Sequence, residues 1–182
     1  ALIDQPMMRN VLADMAIEVE AVTLMVLRIA RATDYLKTDP QEKLFARIAT
    51  PMAKYFNCSR APALAYEALQ CHGGNGFIEE NPMARIYREA PLNSLWEGTA
   101  NMMCMDVLRA AQKDPRTREA FFAELSRVRG ADHRFDKFVD QTRNLLDQAC
   151  DDEFLARLAT EAMARALQGA ELLKHATKEV SD

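Results

Sequence analysis

An all-α fold is what this 182-residue sequence predicts, on three observations. Apolar residues recur three or four positions apart over long stretches, helix starts of the Asp-Pro and Asn-Pro kind punctuate the chain, and no stretch alternates apolar and polar residues over the length of a strand. Met8, Val11, Met15, Val19, Val22, Met25 and Ile29 form the first stripe. Residues 7 to about 35 are therefore expected to make one helix of about 40 Å at 1.5 Å per residue, a length that needs a bundle to pack in. The chain opens on Ala-Leu-Ile-Asp-Gln-Pro with no tail before this helix, as an excised piece would, and further residues are expected upstream.

Thr38-Asp39-Pro40-Gln41-Glu42 supplies the next start. Asp39 can accept at the N-cap, Pro40 suits the first helical position, and Glu42 sits where a capping box places its acid. Pro51 and Pro62 lie inside the apolar run that follows, so a restart at Thr50-Pro51 and a kink or break at Pro62 are expected before the glycine cluster ends the helix. Asn81-Pro82 opens a short helix, Pro91 to Gly98 is a loop, and another helix enters at Thr99. From about residue 111 the texture changes to charged helices divided at Asp114-Pro115, Arg129-Gly130 and Asp151-Asp152. Their expected buried stripes are Phe135, Phe138, Thr142, Leu145 and Ala149, then Leu155, Leu158, Ala162, Ala166, Ala170 and Leu173.

Composition narrows the function classes. A chain of 20.5 kDa should bury about 70% of its unfolded surface. A net charge of −4 with 49% apolar residues suggests neither a disordered chain nor a nucleic-acid binder by bulk charge. No apolar run approaches the roughly 20 residues of a membrane span, and no signal segment opens the chain, so a cytoplasmic protein is expected. Cys58, Cys71, Cys104 and Cys150 lie far apart without a Cys-x-x-Cys pair; buried free thiols fit better than disulfides or zinc, and although His72 follows Cys71, no metal site is expected.

Two irregular segments hold the polar residues that periodicity leaves over. His72-Gly-Gly-Asn-Gly-Phe77 spends three of the chain's six glycines within four positions. Gly73, Gly74 and Gly76 can turn backbone N–H groups toward an anionic ligand, or simply close a helix C-terminus with glycine in the left-handed position. In the second segment Glu97 follows Leu95-Trp96 and precedes Gly98. An apolar setting raises a carboxyl pKa, which suits a general base, while an acid at the start of the Thr99 helix also favours that helix's dipole.

The stretch from Glu67 to Arg109 resembles the signature region of the acyl-CoA dehydrogenases. Gln70, the Gly73-Gly74-x-Gly76-aromatic turn, Arg85-x-Tyr87-Arg88 and Glu97-Gly98-Thr99 occur in the family's order. Trp96 stands where the family prefers Tyr, and Asn101 where it prefers Gln; with the opening Leu-Ile-Asp-Gln-Pro and the long helical tail, these departures resemble the alkylation-response branch. The resemblance implies a four-helix up-down bundle over residues 1–110, its first helix truncated, and a helical extension over 111–182. It implies FAD as cofactor in the full-length protein, with Gln70, Gly73 and Gly74 against the FAD of a neighbouring subunit and Thr99 and Asn101 on flavin phosphate or ribose. Glu97 would be the base that removes the acyl α-proton, and Gly98 would let the thioester of the acyl-CoA substrate approach the backbone. Arg85 and Arg88 are expected to pair with Glu79, Glu80 or Glu89.

The family places most flavin and substrate contacts in two further domains, so this chain carries one wall of an active site and alone is expected to be inactive. A homotetramer when intact, with an electron-transfer flavoprotein as a partner, is implied by the same resemblance. The alkylation-response branch adds a different reading, DNA binding through the tail. From Val107 to Asp182 there are 13 Lys and Arg against 14 Asp and Glu, a net of −1, whereas a duplex-binding surface shows a basic excess; the arginines from Arg116 to Arg134 are the local candidates.

Overall fold

Residues 2–181 are described by a computed structural model of the chain, and among them there is no strand. After a 3₁₀ turn at Leu2–Asp4 come α1 (Pro6–Asp34), α2 (Pro40–Cys71), α3 (Gly74–Phe77) and α4 (Pro82–Glu89). A 3₁₀ segment, Ala90–Ser94, then leads through a loop to α5 (Ala100–Lys113), α6 (Arg116–Leu125), α7 (His133–Asp151), α8 (Ala156–His175) and α9 (Lys178–Ser181). None of these helices is long and apolar enough to cross a membrane.

The helix starts follow local chemistry. Asp39 accepts from the backbone N–H of Gln41 at 2.8 Å and of Glu42 at 3.3 Å, and Asp132 does the same for Arg134 and Phe135 at the head of α7. Each such cap contributes about 1 kcal/mol. Glu42 departs from expectation. It does not close a capping box but turns inward to Arg28 and Arg31, and the Asp39 N–H goes instead to the Tyr35 carbonyl.

Helix α2 also overrides its own sequence, running unbroken through Pro51 and Pro62. Each interior proline costs about 3 kcal/mol in lost hydrogen bonding and ring clash. The offset is tertiary: α2 is the central helix, packed against α1, α5, α6 and α8, and it buries Phe45, Ile48, Met52 and Phe56 together with Pro51 itself. At roughly 1.5–3 kcal/mol per fully buried large apolar side chain, four such residues outweigh two prolines.

One apolar core runs through the chain. Met25 and Ile29 of α1, Val107 and Leu108 of α5, Phe121 and Leu125 of α6, Leu146 of α7, and Met163 and Leu167 of α8 belong to one cluster with the α2 side chains. The stripes expected for the two ends shift. Burial in α1 begins at Ala21, with Val19 51% exposed; ahead of it Val11 and Met15 only line an open groove of about 570 Å³ against Ala63 and Leu64 of α2. In α8 the buried face is Ala159, Met163, Ala166, Leu167 and Ala170, and Leu158 is 56% exposed. The cause is close approach. Small residues let α8 press against α1, α2 and α7, and a Cβ on Gly169 would meet the Phe135 ring at 3.1 Å. The α7 stripe widens in the same way: Val139 and Leu146 join Thr142 and Ala149, while Phe135, Phe138 and Leu145 are half-buried against the core.

A charged network lies inside this core. Arg28 of α1 donates to Glu42 of α2 at 2.8 Å and to Glu124 of α6 at 2.6 Å, and lies 4.1 Å above the Phe45 ring. Lys174 of α8 donates to Glu124 at 2.5 Å and to Glu171 at 2.7 Å. Burial pushes the Glu124 carboxyl up, but the hydrogen bonds from Arg28 and Lys174 prevail and hold it at about 2. The four free cysteines play no part in this network; Cys104 is buried and the other three are half-buried.

Candidate active site

The glycine turn closes α2, as one of its two readings expects. His72 ends α2 in helical conformation, and Gly73 follows at φ +58, ψ −144, its N–H bonded to the Gln70 carbonyl at 2.9 Å. The positive φ caps α2 as expected, but ψ is extended rather than left-handed helical, so the chain at once begins the single turn of α3. Gly76 is needed inside the chain, because a Cβ there would collide with the Leu69 carbonyl oxygen. Gly74 is not: its φ is ordinary, and nothing lies within 4 Å of where its Cβ would be. The Gln70 side chain is exposed and makes no hydrogen bond among the described residues. Beside the turn lies a cleft of about 570 Å³ lined by Leu69, Phe77, Ile78, Ala84, Tyr87 and Arg88, with Phe77 76% exposed. Arg88 pairs with Glu79 at 2.9 Å as expected, whereas Arg85 pairs with no acid among the described residues. His72 is exposed, and no cluster of three His, Cys, Asp or Glu among the described residues is placed to hold a metal.

The second segment carries the backbone outlier. Glu97 has φ +54, the one non-glycine residue with positive φ among those described, and Gly98 follows at φ +112. A side chain in the left-handed region costs about 1–2 kcal/mol, and outliers of this kind gather at functional sites. The Glu97 carboxylate is exposed, with no hydrogen bond or ion pair among the described residues, and Trp96 beside it is 55% exposed. The apolar enclosure expected around Glu97 is thus not built by this chain alone. Gly98 answers both to its φ and to Met103, whose Cε would meet a Cβ there. Thr99 is the N-cap of α5, yet its hydroxyl makes no capping bond. One residue that sequence reasoning passed over holds this loop: Lys54 of α2 donates to the carbonyl oxygens of Asn93 and Trp96.

The tail reaches this rim as well. Arg157 of α8 donates through Nε to Asn101 Oδ1 at 2.8 Å, leaving the amide nitrogen of Asn101 free. Elsewhere five of the tail's arginines pair within the chain. Arg116 pairs with Asp114, Arg118 with Asp147, Arg127 with Glu124, Arg129 with Asp140 and Arg134 with Asp132. Neither Lys54 nor Arg157 has a local signal in the sequence, since their partners lie 39 to 56 positions away.

Known proteins resemble this chain in sequence and fold. Residues 1–112 match the family model described as acyl-CoA dehydrogenase, C-terminal domain. The chain is 39% identical to the acyl-CoA dehydrogenase-like protein AidB of Escherichia coli, over 97% of this chain and 32% of that protein. It is 34% identical to the rat mitochondrial short-chain specific acyl-CoA dehydrogenase, over 50% of this chain and 20% of that enzyme. A structure of Caenorhabditis elegans ACDH-11 in complex with C11-CoA superposes with a TM-score of 0.82 at 25% identity, covering 98% of this chain and 34% of that one. The chain thus spans about a third or less of the length of these relatives. Its all-helical fold, the order of its signature residues and the family match together establish that the chain belongs to the acyl-CoA dehydrogenase family, over its C-terminal domain.

Proposed function

We propose that the chain is the C-terminal part of a longer FAD-dependent enzyme that desaturates an acyl-CoA thioester between its α and β carbons, with Glu97 as the base. The observation that carries the reading is the Glu97 backbone: a strained, exposed carboxylate, unpaired among the described residues, stands on a loop fastened to the central helix. Binding of C11-CoA by the nematode relative supports the ligand class.

The residues present fit FAD. Gly74 leaves open space that no in-chain contact requires, Gln70 and Thr99 offer side chains without in-chain partners, and Asn101 keeps its amide nitrogen. Gln70, Gly73 and Gly74 would hold the cofactor of a neighbouring subunit, and Thr99 and Asn101 its phosphate or ribose part. When bound, FAD supplies the acceptor for the β-hydride. Glu97 takes the α-proton onto a carboxylate oxygen, a step that typically contributes about 10²- to 10⁴-fold. Gly98, lacking a side chain, leaves room for the thioester beside that carboxylate. The intact protein is read as a homotetramer that passes electrons to an electron-transfer flavoprotein. Duplex binding through the tail is no part of this reading, because four of the five arginines from Arg116 to Arg134 each face a carboxylate of their own, and Arg127 shares Glu124 with Arg28 and Lys174.

The test is Glu97→Gln in the intact flavoprotein, followed by rapid mixing with acyl-CoA. Flavin bleaching is expected to slow by about 10²- to 10⁴-fold with FAD still bound. Bleaching at a near-normal rate would falsify the base assignment.

A further inference from the structure

The segment leading to Glu97 packs on α2 at Ala90–Ser94, with Ala90 buried, and among the described residues one side chain from another helix is hydrogen-bonded to the loop. Lys54 projects from α2, between the buried Ala53 and Tyr55, and its ammonium donates both to the Asn93 carbonyl and, at 3.1 Å, to the Trp96 carbonyl. The Trp96 carbonyl belongs to the peptide unit that ends at the Glu97 nitrogen. Fixing that carbonyl fixes the plane from which the Glu97 φ torsion begins, and this torsion is the one held at +54. The other bonds within the segment are local: Leu95 and Trp96 donate their N–H groups to the Leu92 carbonyl, and Ser94 Oγ donates to Pro91. These set the shape of the turn; Ala90–Ser94 is held on α2 by packing, and among the described residues Lys54 adds the hydrogen-bonded tie between α2 and the Trp96 end of the loop. A lysine suits such a tie, since one ammonium carries three protons and can serve two carbonyls at once.

We propose that Lys54 is a positioning residue, clamping the Asn93–Trp96 turn to α2 so that the Glu97 carboxylate stays where a base must be. The proposal rests on Glu97 being that base. Misplacing a reacting group by about 1 Å can cost about 10²-fold. Lys54→Met keeps the aliphatic stem and removes the ammonium; Lys54→Arg restores a cation with donors.

Trp96 is the chain's single tryptophan, which makes the clamp visible without cofactor or substrate. In the 182-residue chain, Trp96 fluorescence anisotropy is expected to fall in Lys54→Met and to recover in part in Lys54→Arg, with the thermal midpoint nearly unchanged. In the intact flavoprotein, the limiting rate of flavin reduction by acyl-CoA should drop about 10- to 100-fold in Lys54→Met, while FAD affinity and the half-saturating acyl-CoA concentration change less than twofold. Unchanged anisotropy in a folded Lys54→Met chain overturns the clamp. So does an unchanged limiting rate in Lys54→Met when Glu97→Gln has lost its activity. Near-normal reduction by Glu97→Gln instead removes the base from the proposal and leaves the anisotropy to decide whether Lys54 holds the loop.

Discussion

Arg28 and Glu97 are charged residues of the same helical unit with opposite fates. Arg28 and its partners Glu42, Glu124 and Lys174 sit inside the fold, each ion answered by another at 2.5–2.8 Å. Glu97, Gln70 and Thr99 lie exposed at the rim, with no side-chain partner among the described residues, and one of them holds a backbone angle that side chains avoid. A charge that the chain satisfies by itself is there to hold helices together. A polar group that the chain leaves to solvent, in a conformation that costs energy to maintain, is what the proposed function reads as a site for a partner from outside. On the reading proposed above, the interior network serves stability and the rim serves function, and the contrast can be broken from either side.

The largest expected effect comes from removing residues 111–182. The network and the apolar core both draw on α6 and α8, which contribute Glu124, Lys174, Phe121 and Leu167, and the Phe121 ring stacks on Phe45 at 6.2 Å. A chain ending at residue 110 should keep much of its helical circular dichroism, lose a cooperative melt and bind a hydrophobic dye. A sharp, reversible melt of residues 1–110 would instead show that the bundle stands without the extension.

Next in size is Arg28→Met, which leaves Glu42 and Glu124 short of a buried partner. The expected loss is about 3–5 kcal/mol in a denaturant titration, with no change in flavin reduction by the intact protein beyond what lost folding explains. The network also sets an acid limit. Glu124 is held at about 2 against an ordinary 4.5, so its stabilising contribution is complete above about pH 4.5 and fades as the pH falls toward 2. The stability gap between the wild-type chain and Glu124→Gln should therefore narrow over that window. A constant gap would mean that the carboxylate's charge does not hold α6 to α1 and α8.

What the sequence disclosed follows the same division. Asp39-Pro40 marks a helix start through groups two and three positions apart, and such a signal is local enough to read directly. The breaks expected at Pro51 and Pro62 do not occur, because their local cost is outweighed by burial against helices distant in sequence. The α8 stripe misled because its leucines are not its contact face; the alanines are. The Arg28 network was invisible, since residues 28, 42, 124 and 174 share no motif. At the rim, Glu97 and the glycines were legible through the family pattern, while the left-handed φ of Glu97 and the reach of Lys54 depend on how the loop lies on α2.

The smallest predicted effect is the sharpest test of the contrast, because it asks one substitution to do opposite things in two settings. Gly74 has an ordinary φ and open space around its Cβ position, at the first residue of α3. Within the 182-residue chain, Gly74→Ala meets nothing and narrows the unfolded ensemble, so it should be neutral or stabilising by up to about 1 kcal/mol. Were the glycine present only for the turn, the intact protein would gain in the same way and bind FAD as before. If the open space is reserved for the cofactor of a neighbouring subunit, the added methyl stands in its way, and FAD should dissociate measurably faster from Gly74→Ala although the protein that holds it is no less stable. Thermal midpoints of the chain and FAD release rates of the intact protein, measured on the one variant, separate the two. Unchanged release would return Gly74 to the turn and leave Gln70, Thr99 and Asn101 to carry the cofactor assignment.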